Sequence, residues 1–317
     1  MMQPHFHNKA FCILLGILGL DGAALLQAGK PIDQAQNSET SRNPEHARGL
    51  PGFSWLPGDA APGSPGDKDL GEQRLLNYQE KEKPFILTGD SAGYATNNAG
   101  LTESGTHKDQ FLVGQIAVGY QPAITGSLRA EFSFREAFFR YHRFSELDFD
   151  SQDMGAGLTY RPVNLWNISF YGRYHYNRLL DAKDENEIFT NHSLTIGAQK
   201  TFALSHAHYL YAGYASQFGI GHPRNAERNE HGAFVGYHVD LARALQGDLF
   251  YRIAGFDYAE GGRHDLNQTA TGSFQYQLAK WLYLYASATF SINDSNRPLL
   301  SYKAFSPGAG LNATFKF

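Results

Sequence analysis

The sequence predicts an all-β fold, an antiparallel up-and-down barrel of about twelve strands that crosses a membrane. Three observations lead there. From Pro84 onward, apolar and polar residues alternate with a period of two over segments long enough to cross a bilayer. The links between those segments are short and long in turn. The one sustained apolar run stands near the N-terminus and is too short to span as a helix.

The apolar run, Ala10 to Leu20, follows a basic stretch ending in Lys9 and precedes small residues at Ala23, Ala24 and Ala28. This is the layout of a secretory signal peptide. Residues 1–28 are therefore expected to be a cleaved export signal, cut after Ala24 or Ala28. Cys12, the one cysteine, lies inside the run. Cleavage removes it and leaves no thiol for a disulfide or a reactive site. Residues 29–83 are rich in Ser, Pro and scattered charge. Such a composition buries too little apolar area to offset ordering, so a flexible periplasmic linker is expected. Within it, Asp69 to Lys81 reads as a short, weakly helical tether.

Composition narrows the choices further. Hydrophobic residues make up 42% of the 317 positions, too few for a bundle of membrane helices. The 23 Phe, 18 Tyr and 33 Gly against 3 Met suit strands better than helices. A net charge of -4 gives no electrostatic case for nucleic acid. No phosphate-cradling glycine loop, dinucleotide fingerprint or zinc-ligand spacing occurs, so neither cofactor nor metal is expected.

The clearest strand is Leu282 to Asn293. Leu282, Leu284, Ala286, Ala288, Phe290 and Ile292 form one face; Tyr283, Tyr285, Ser287, Thr289, Ser291 and Asn293 form the other. Similar segments start near Phe85, Gln110, Ile124, Asp150, Leu165 and Phe189, then near His208, Gly232, Gly247, Asn267, Trp281 and Phe305. Short links such as Gln121–Ala123, Arg161–Asn164 and Ala279–Lys280 alternate with longer polar ones such as Asn97–Lys108 and Gly219–Glu230. Tight turns on one side and long loops on the other are the plan of an outer-membrane barrel, with both ends of the barrel in the periplasm. Aromatic side chains should gather at the two interfaces. Tyr120, Tyr160, Trp166, Phe202, Tyr276, Trp281 and Phe317 fall at the periplasmic ends. Phe134, Phe138, Tyr174, Tyr176, Tyr214, Phe256 and Phe290 fall toward the outer ends.

In the last strand Ala309, Leu311, Ala313, Phe315 and Phe317 share one face. This resembles the C-terminal targeting strand of bacterial outer-membrane β-barrel proteins, the porin-like superfamily. The resemblance covers Pro84 to Phe317 as an architecture and singles out no narrower family. It implies a Gram-negative outer membrane as location. The partners it implies are outer-membrane lipids, lipopolysaccharide, the barrel-assembly machinery and small solutes.

The face opposite the lipid defines the candidate site. Arg129, Glu131, Arg135, Asp153, Tyr171 and Arg173 are expected to line the lumen. Asp248, Arg252, Gln275, Tyr283, Tyr285 and Lys316 join them. Two readings stand open: a narrow water-filled pore, or a packed network of ion pairs bracing a closed barrel. Arginines outnumber acids in this set, so any selectivity is expected to lean toward anions. The acidic run Glu146, Asp148, Asp150 and Asp153 lacks the glycine and final glutamate of a calcium loop. Outer-membrane phospholipase A, a barrel of similar strand count, carries a His-x-Ser pair on its lipid face, but His192 and Ser193 here are adjacent and must point to opposite faces. No catalytic residues are expected. Passive solute passage is the leading reading; an outer-membrane hydrolase or a closed structural or surface-binding barrel is the alternative.

Overall fold

The computed structural model describes Asp33 and residues 83–317 apart from 163, 167 and 206. The expected export signal, and the linker except Asp33 and Lys83, lie outside the described residues. Twelve strands follow one another: β1 (Phe85–Thr96), β2 (Asp109–Tyr120), β3 (Leu128–Tyr141), β4 (Phe149–Tyr160), β5 (Ile168–Asp181) and β6 (Glu187–Ala203). Then come β7 (His208–His222), β8 (Arg228–Ala242), β9 (Leu245–Tyr258), β10 (His264–Ala279), β11 (Leu282–Ser295) and β12 (Tyr302–Lys316). Each pairs antiparallel with its neighbours in sequence, and β1 pairs with β12 to close the barrel. Closure follows from the solvent. In hydrocarbon an unpaired strand edge would leave every second peptide group without a partner. At the seam Phe85 and Phe317 exchange both backbone hydrogen bonds, at 3.1 and 3.0 Å.

Strand starts sit within a few residues of those read from the sequence, with two instructive shifts. Ile124 and Leu165 lie in links rather than at strand starts. Their links hold their own turns: Ile124 N–H reaches the Leu128 carbonyl at 2.9 Å, and Ile168 N–H reaches that of Leu165 at 2.8 Å. The sorting of link lengths is consequently weaker than expected. Residues 121–127 and 161–167 at the inner end match 142–148 at the outer end, while 223–227 and 259–263 are shorter. The strands consume what looked like loop. They run 12 to 17 residues, against the roughly 9–11 that cross a bilayer. The surplus projects outward. Glu136, Arg140, Asp150, Gln152 and Arg178 all alternate onto the outer wall there, in paired form: Arg140 with Asp150 at 2.6 Å and Arg178 with Glu187 at 3.0 Å.

The exposed residues of the outer wall are largely apolar, Leu112, Ile116, Val118, Leu158, Leu194, Ile196, Leu249 and Leu284 among them. The periplasmic rim carries the expected aromatic girdle. Phe85 stacks on Tyr120 at 4.6 Å and Trp281 on Phe315 at 5.3 Å. Lys200 reaches down over the Phe202 ring at 4.8 Å, an ammonium drawn toward the interface. The outer girdle holds as expected except at Phe256. That ring is 1% exposed and points inward, because β9 alternates with Arg252, Ala254 and Tyr258 on its inner face.

Candidate functional site: the barrel lumen

Strict alternation places every expected lumen residue on the inner face, but not as a bare polar tube. Three environments divide it.

The first is a ring of buried charge. Arg173 on β5 is 1% exposed and gives its Nε to Glu131 Oε1 on β3 at 2.7 Å. Its guanidinium also lies 4.6 Å from the Tyr171 ring. The Nη1 and Nη2 atoms of Arg173, the Tyr171 hydroxyl and Gln199 Oε1 have no hydrogen-bond partner among the described residues. A buried guanidinium strongly favours water or a polar ligand at such donors. Beside this ring, Asp153 lies between Arg135 at 3.9 Å and His175 at 3.3 Å. Arg252 holds Glu230 at 2.7 Å, and Asp248 meets His238 at 2.8 Å nearer the periplasm. Arg129 is half-buried on the inner face of β3, and Lys316 stands exposed at the rim.

The second environment is a wall of small hydroxyls. Thr269, Thr271 and Ser273 on β10 face Ser287, Thr289 and Ser291 on β11, with Thr271 and Thr289 hydrogen-bonded at 2.9 Å. Gln275 and Tyr283 continue this wall toward the periplasmic end, where the Tyr283 hydroxyl reaches the Lys280 carbonyl at 3.5 Å. Tyr285 donates to Asp90 at 3.2 Å across the β1–β12–β11 sector.

The third was not anticipated. Phe111, Val113, Phe139, Phe149, Leu179 and Phe189 point inward and pack into one apolar cluster with Tyr94 and Tyr141. Phe139 and Phe149 stack at 4.2 Å. The link 97–108 folds onto the outer mouth. Asn98, 0% exposed, anchors it by donating to the carbonyls of Thr102 at 2.8 Å and Lys303 at 2.9 Å. Leu101 then packs on Tyr302 and Ala304. The signal was present in the sequence: the strict register that puts Phe138 outward puts Phe139 inward. Both were aromatic, and alternation by polarity alone could not see that. The outer lumen on the β1–β6 side is therefore filled, and at that level the polar side chains lie against β7–β12; the charged ring of β3–β5 lies nearer the periplasmic end.

The expected arginine excess covers only part of the interior charge. Asp90, Glu230 and Asp265 are buried inside as well, and so are Arg228 and Arg263, so the interior charge extends beyond the residues on which the excess was counted. At the outer end of the polar side Arg228, Arg252 and Arg263 gather with Glu230 and Asp265, and Asp33 sits among them. Arg263 lies in the link after β9. Burial opposes its charge, yet its hydrogen bonds to Asp265, with Tyr258 and the Asp265 charge, lift its pKa above the usual guanidinium value.

Other candidates disperse. Of the acidic run, Asp148 accepts from the Tyr141 N–H at 2.7 Å, Asp150 pairs outward with Arg140, and Asp153 points into the lumen. No group of ligands able to hold a metal occurs among the described residues. His192 faces lipid and meets the Tyr174 hydroxyl at 2.6 Å, while Ser193 is buried on the other face.

No family model matches the sequence, and no curated protein resembles it at the level of sequence. Solved structures do resemble it in fold. An outer-membrane channel from Pseudomonas putida F1 superposes with a TM-score of 0.52 at 11% identity, covering 74% of this chain and 96% of that one. An anion-selective porin from Comamonas acidovorans gives 0.39 at 9% identity over 73% and 98%. A monoaromatic hydrocarbon channel, CymD, gives 0.45 at 10% identity over 75% and 90%. The first likeness is one of fold, and it agrees with the closed sheet, the apolar band and the aromatic girdle. What that likeness shows is the fold: the chain is a closed, all-antiparallel β-barrel of twelve strands.

Proposed function

We propose that this barrel is a narrow channel for the passive passage of small polar solutes and performs no catalysis. The observation that carries the reading is Arg173. Its two Nη atoms are buried inside the barrel without a hydrogen-bond partner among the described residues, and the guanidinium lies 4.6 Å from the Tyr171 ring. A barrel built only to be filled would gain by replacing such a group with packed apolar side chains. Arg129, Arg135 and Arg252, with Glu131, Asp153 and Asp248, would set the field along the route; Gln275, Tyr283 and Tyr285 would offer hydrogen bonds to a passing solute. The route runs between the hydroxyl wall of β10–β11 and the charged ring, past the aromatic cluster of Phe111, Phe139 and Phe149. Lipopolysaccharide and phospholipid would surround the outer wall, and the strand ending in Phe317 would serve the assembly machinery.

A second reading, a closed structural barrel, draws on that same aromatic cluster. Swelling of liposomes carrying the protein separates the two. Swelling in arabinose but not in raffinose supports a narrow channel. No swelling with either sugar, from protein that remains folded and heat-modifiable, favours the closed barrel.

A further inference from the structure

Asp33 is remote from the barrel in sequence, yet its side chain is 8% exposed and lies inside the lumen. Its Oδ1 accepts from Arg228 Nη1 at 2.9 Å, across 195 positions of chain. Arg228, 5% exposed, is fixed from several sides. Nε donates to Glu230 Oε1 at 2.9 Å, Nη1 also donates to the Tyr258 hydroxyl at 3.0 Å, and the Phe256 ring lies 4.1 Å beneath. Arg263 covers the Tyr258 ring at 3.9 Å and is gripped by both oxygens of Asp265. The charge of Asp33 acts on Tyr258, Arg263 and Tyr302 as well.

Charge explains why a distant aspartate sits there. Arg228, Arg252 and Arg263 supply three positive charges; Glu230 and Asp265 supply two negative ones. Three minus two leaves these barrel-borne side chains with one positive charge in a desolvated place. Asp33 cancels it. A buried guanidinium held by its neighbours, with a carboxylate oxygen on the Nη1 that Tyr258 shares, is a carboxylate site already assembled. Either expected signal cleavage point keeps Asp33 in the mature chain.

We propose that the Arg228–Arg263 cluster is a binding site for carboxylate-bearing solutes at the outer end of the lumen, held at rest by the chain's own Asp33. A solute carboxylate takes the Asp33 position on Arg228, with the Tyr258 hydroxyl beside it. That this happens during passage rests on the channel reading; the binding itself does not.

The test uses protein purified from outer membranes in detergent, with 13C-acetate followed by NMR and acetamide as its neutral counterpart. Asp33→Asn removes the internal carboxylate without touching a strand, Arg228 keeps Glu230 as a charged partner, and heat-modifiability of the purified variant checks that the barrel is folded. It should bind acetate at least tenfold more tightly than the wild type and leave acetamide unbound. Adding Arg228→Lys should return acetate affinity to the wild-type level or below. Equal acetate affinity in wild type and Asp33→Asn overturns the proposal, and so does acetamide binding as well as acetate. Sulfate matching acetate overturns the carboxylate assignment. Conductance is read on the same samples. Acetate binding without conduction keeps the site and removes the channel; conduction with no gain in acetate affinity in Asp33→Asn does the reverse.

Discussion

Tyr211 of β7 lies flat across Gly236, its register partner on β8, so closely that a Cβ at position 236 would overlap the ring. Tyr171 covers Gly197 and Tyr94 covers Gly308 in the same way. Each glycine gives up a side chain so that a neighbouring ring can lie along the inner wall and cover its backbone. Small barrels gain from this, because an inward tyrosine standing upright would block the lumen.

Gly236→Val should therefore cost about 1–3 kcal/mol, the usual range for overpacking a filled site. Tyr211→Ala in the same chain should recover part of that cost, since the two side chains compete for one space. Urea midpoints of the heat-modifiable folded band measure both. Equal costs for the single and the double variant would show that the ring moves aside freely.

Arg173 and Glu131 make a sharper case. Arg173→Gln leaves the Glu131 carboxylate buried without its ion-pair partner, a change of about 3–5 kcal/mol for pairs of this kind. Glu131→Gln together with Arg173→Gln should restore most of the stability, because two neutral amides can pair. The comparison of single and double variants by urea unfolding checks the sign.

On the outer wall, Ile196 is 55% exposed within the apolar band. Ile196→Arg should destabilise the folded barrel by about 2–4 kcal/mol, as cations do near the bilayer midplane. Lys303→Ala, at the outer end of β12, should change it by less than about 0.5 kcal/mol, as surface substitutions do. Refolding titrations in lipid vesicles report both values.

Phe317 has two tasks that one pair of experiments separates. It closes the seam with Phe85, through paired backbone bonds and rings 6.0 Å apart. It also ends the face of Ala309, Leu311, Ala313 and Phe315 proposed for recognition during assembly. Phe317→Ala keeps the backbone bonds. It should lower the amount of barrel in the outer membrane several-fold while refolding in detergent stays near wild type. Equal losses in cell and detergent would assign Phe317 to closure alone.

Much of this architecture was legible because a β-strand has a period of two and a membrane barrel must close. Alternation alone placed Arg129, Glu131, Arg173 and Arg252 on the inner face. It failed where polarity did not alternate. Phe138 and Phe139 look alike in sequence, yet one faces lipid and the other the aromatic cluster. Phe256 was grouped with the aromatics of the outer ends, yet its ring turns inward, where Arg228 and Arg252 lie over it. Asp33 could not be found by any local rule. Its neighbours in sequence read as linker, and its partner Arg228 lies 195 positions away. Link lengths misled for a simple reason: the polar residues at the outer ends of β3 to β6 belong to strands rather than to loops.

Single-channel conductance in a planar bilayer tests the central claim most directly, with wild type and Asp33→Asn compared. Discrete steps, larger or more frequent in Asp33→Asn and shifted by Arg173→Ser and Arg252→Ser, are the predicted result. A barrel that stays folded and heat-modifiable yet silent in every form would contradict the channel.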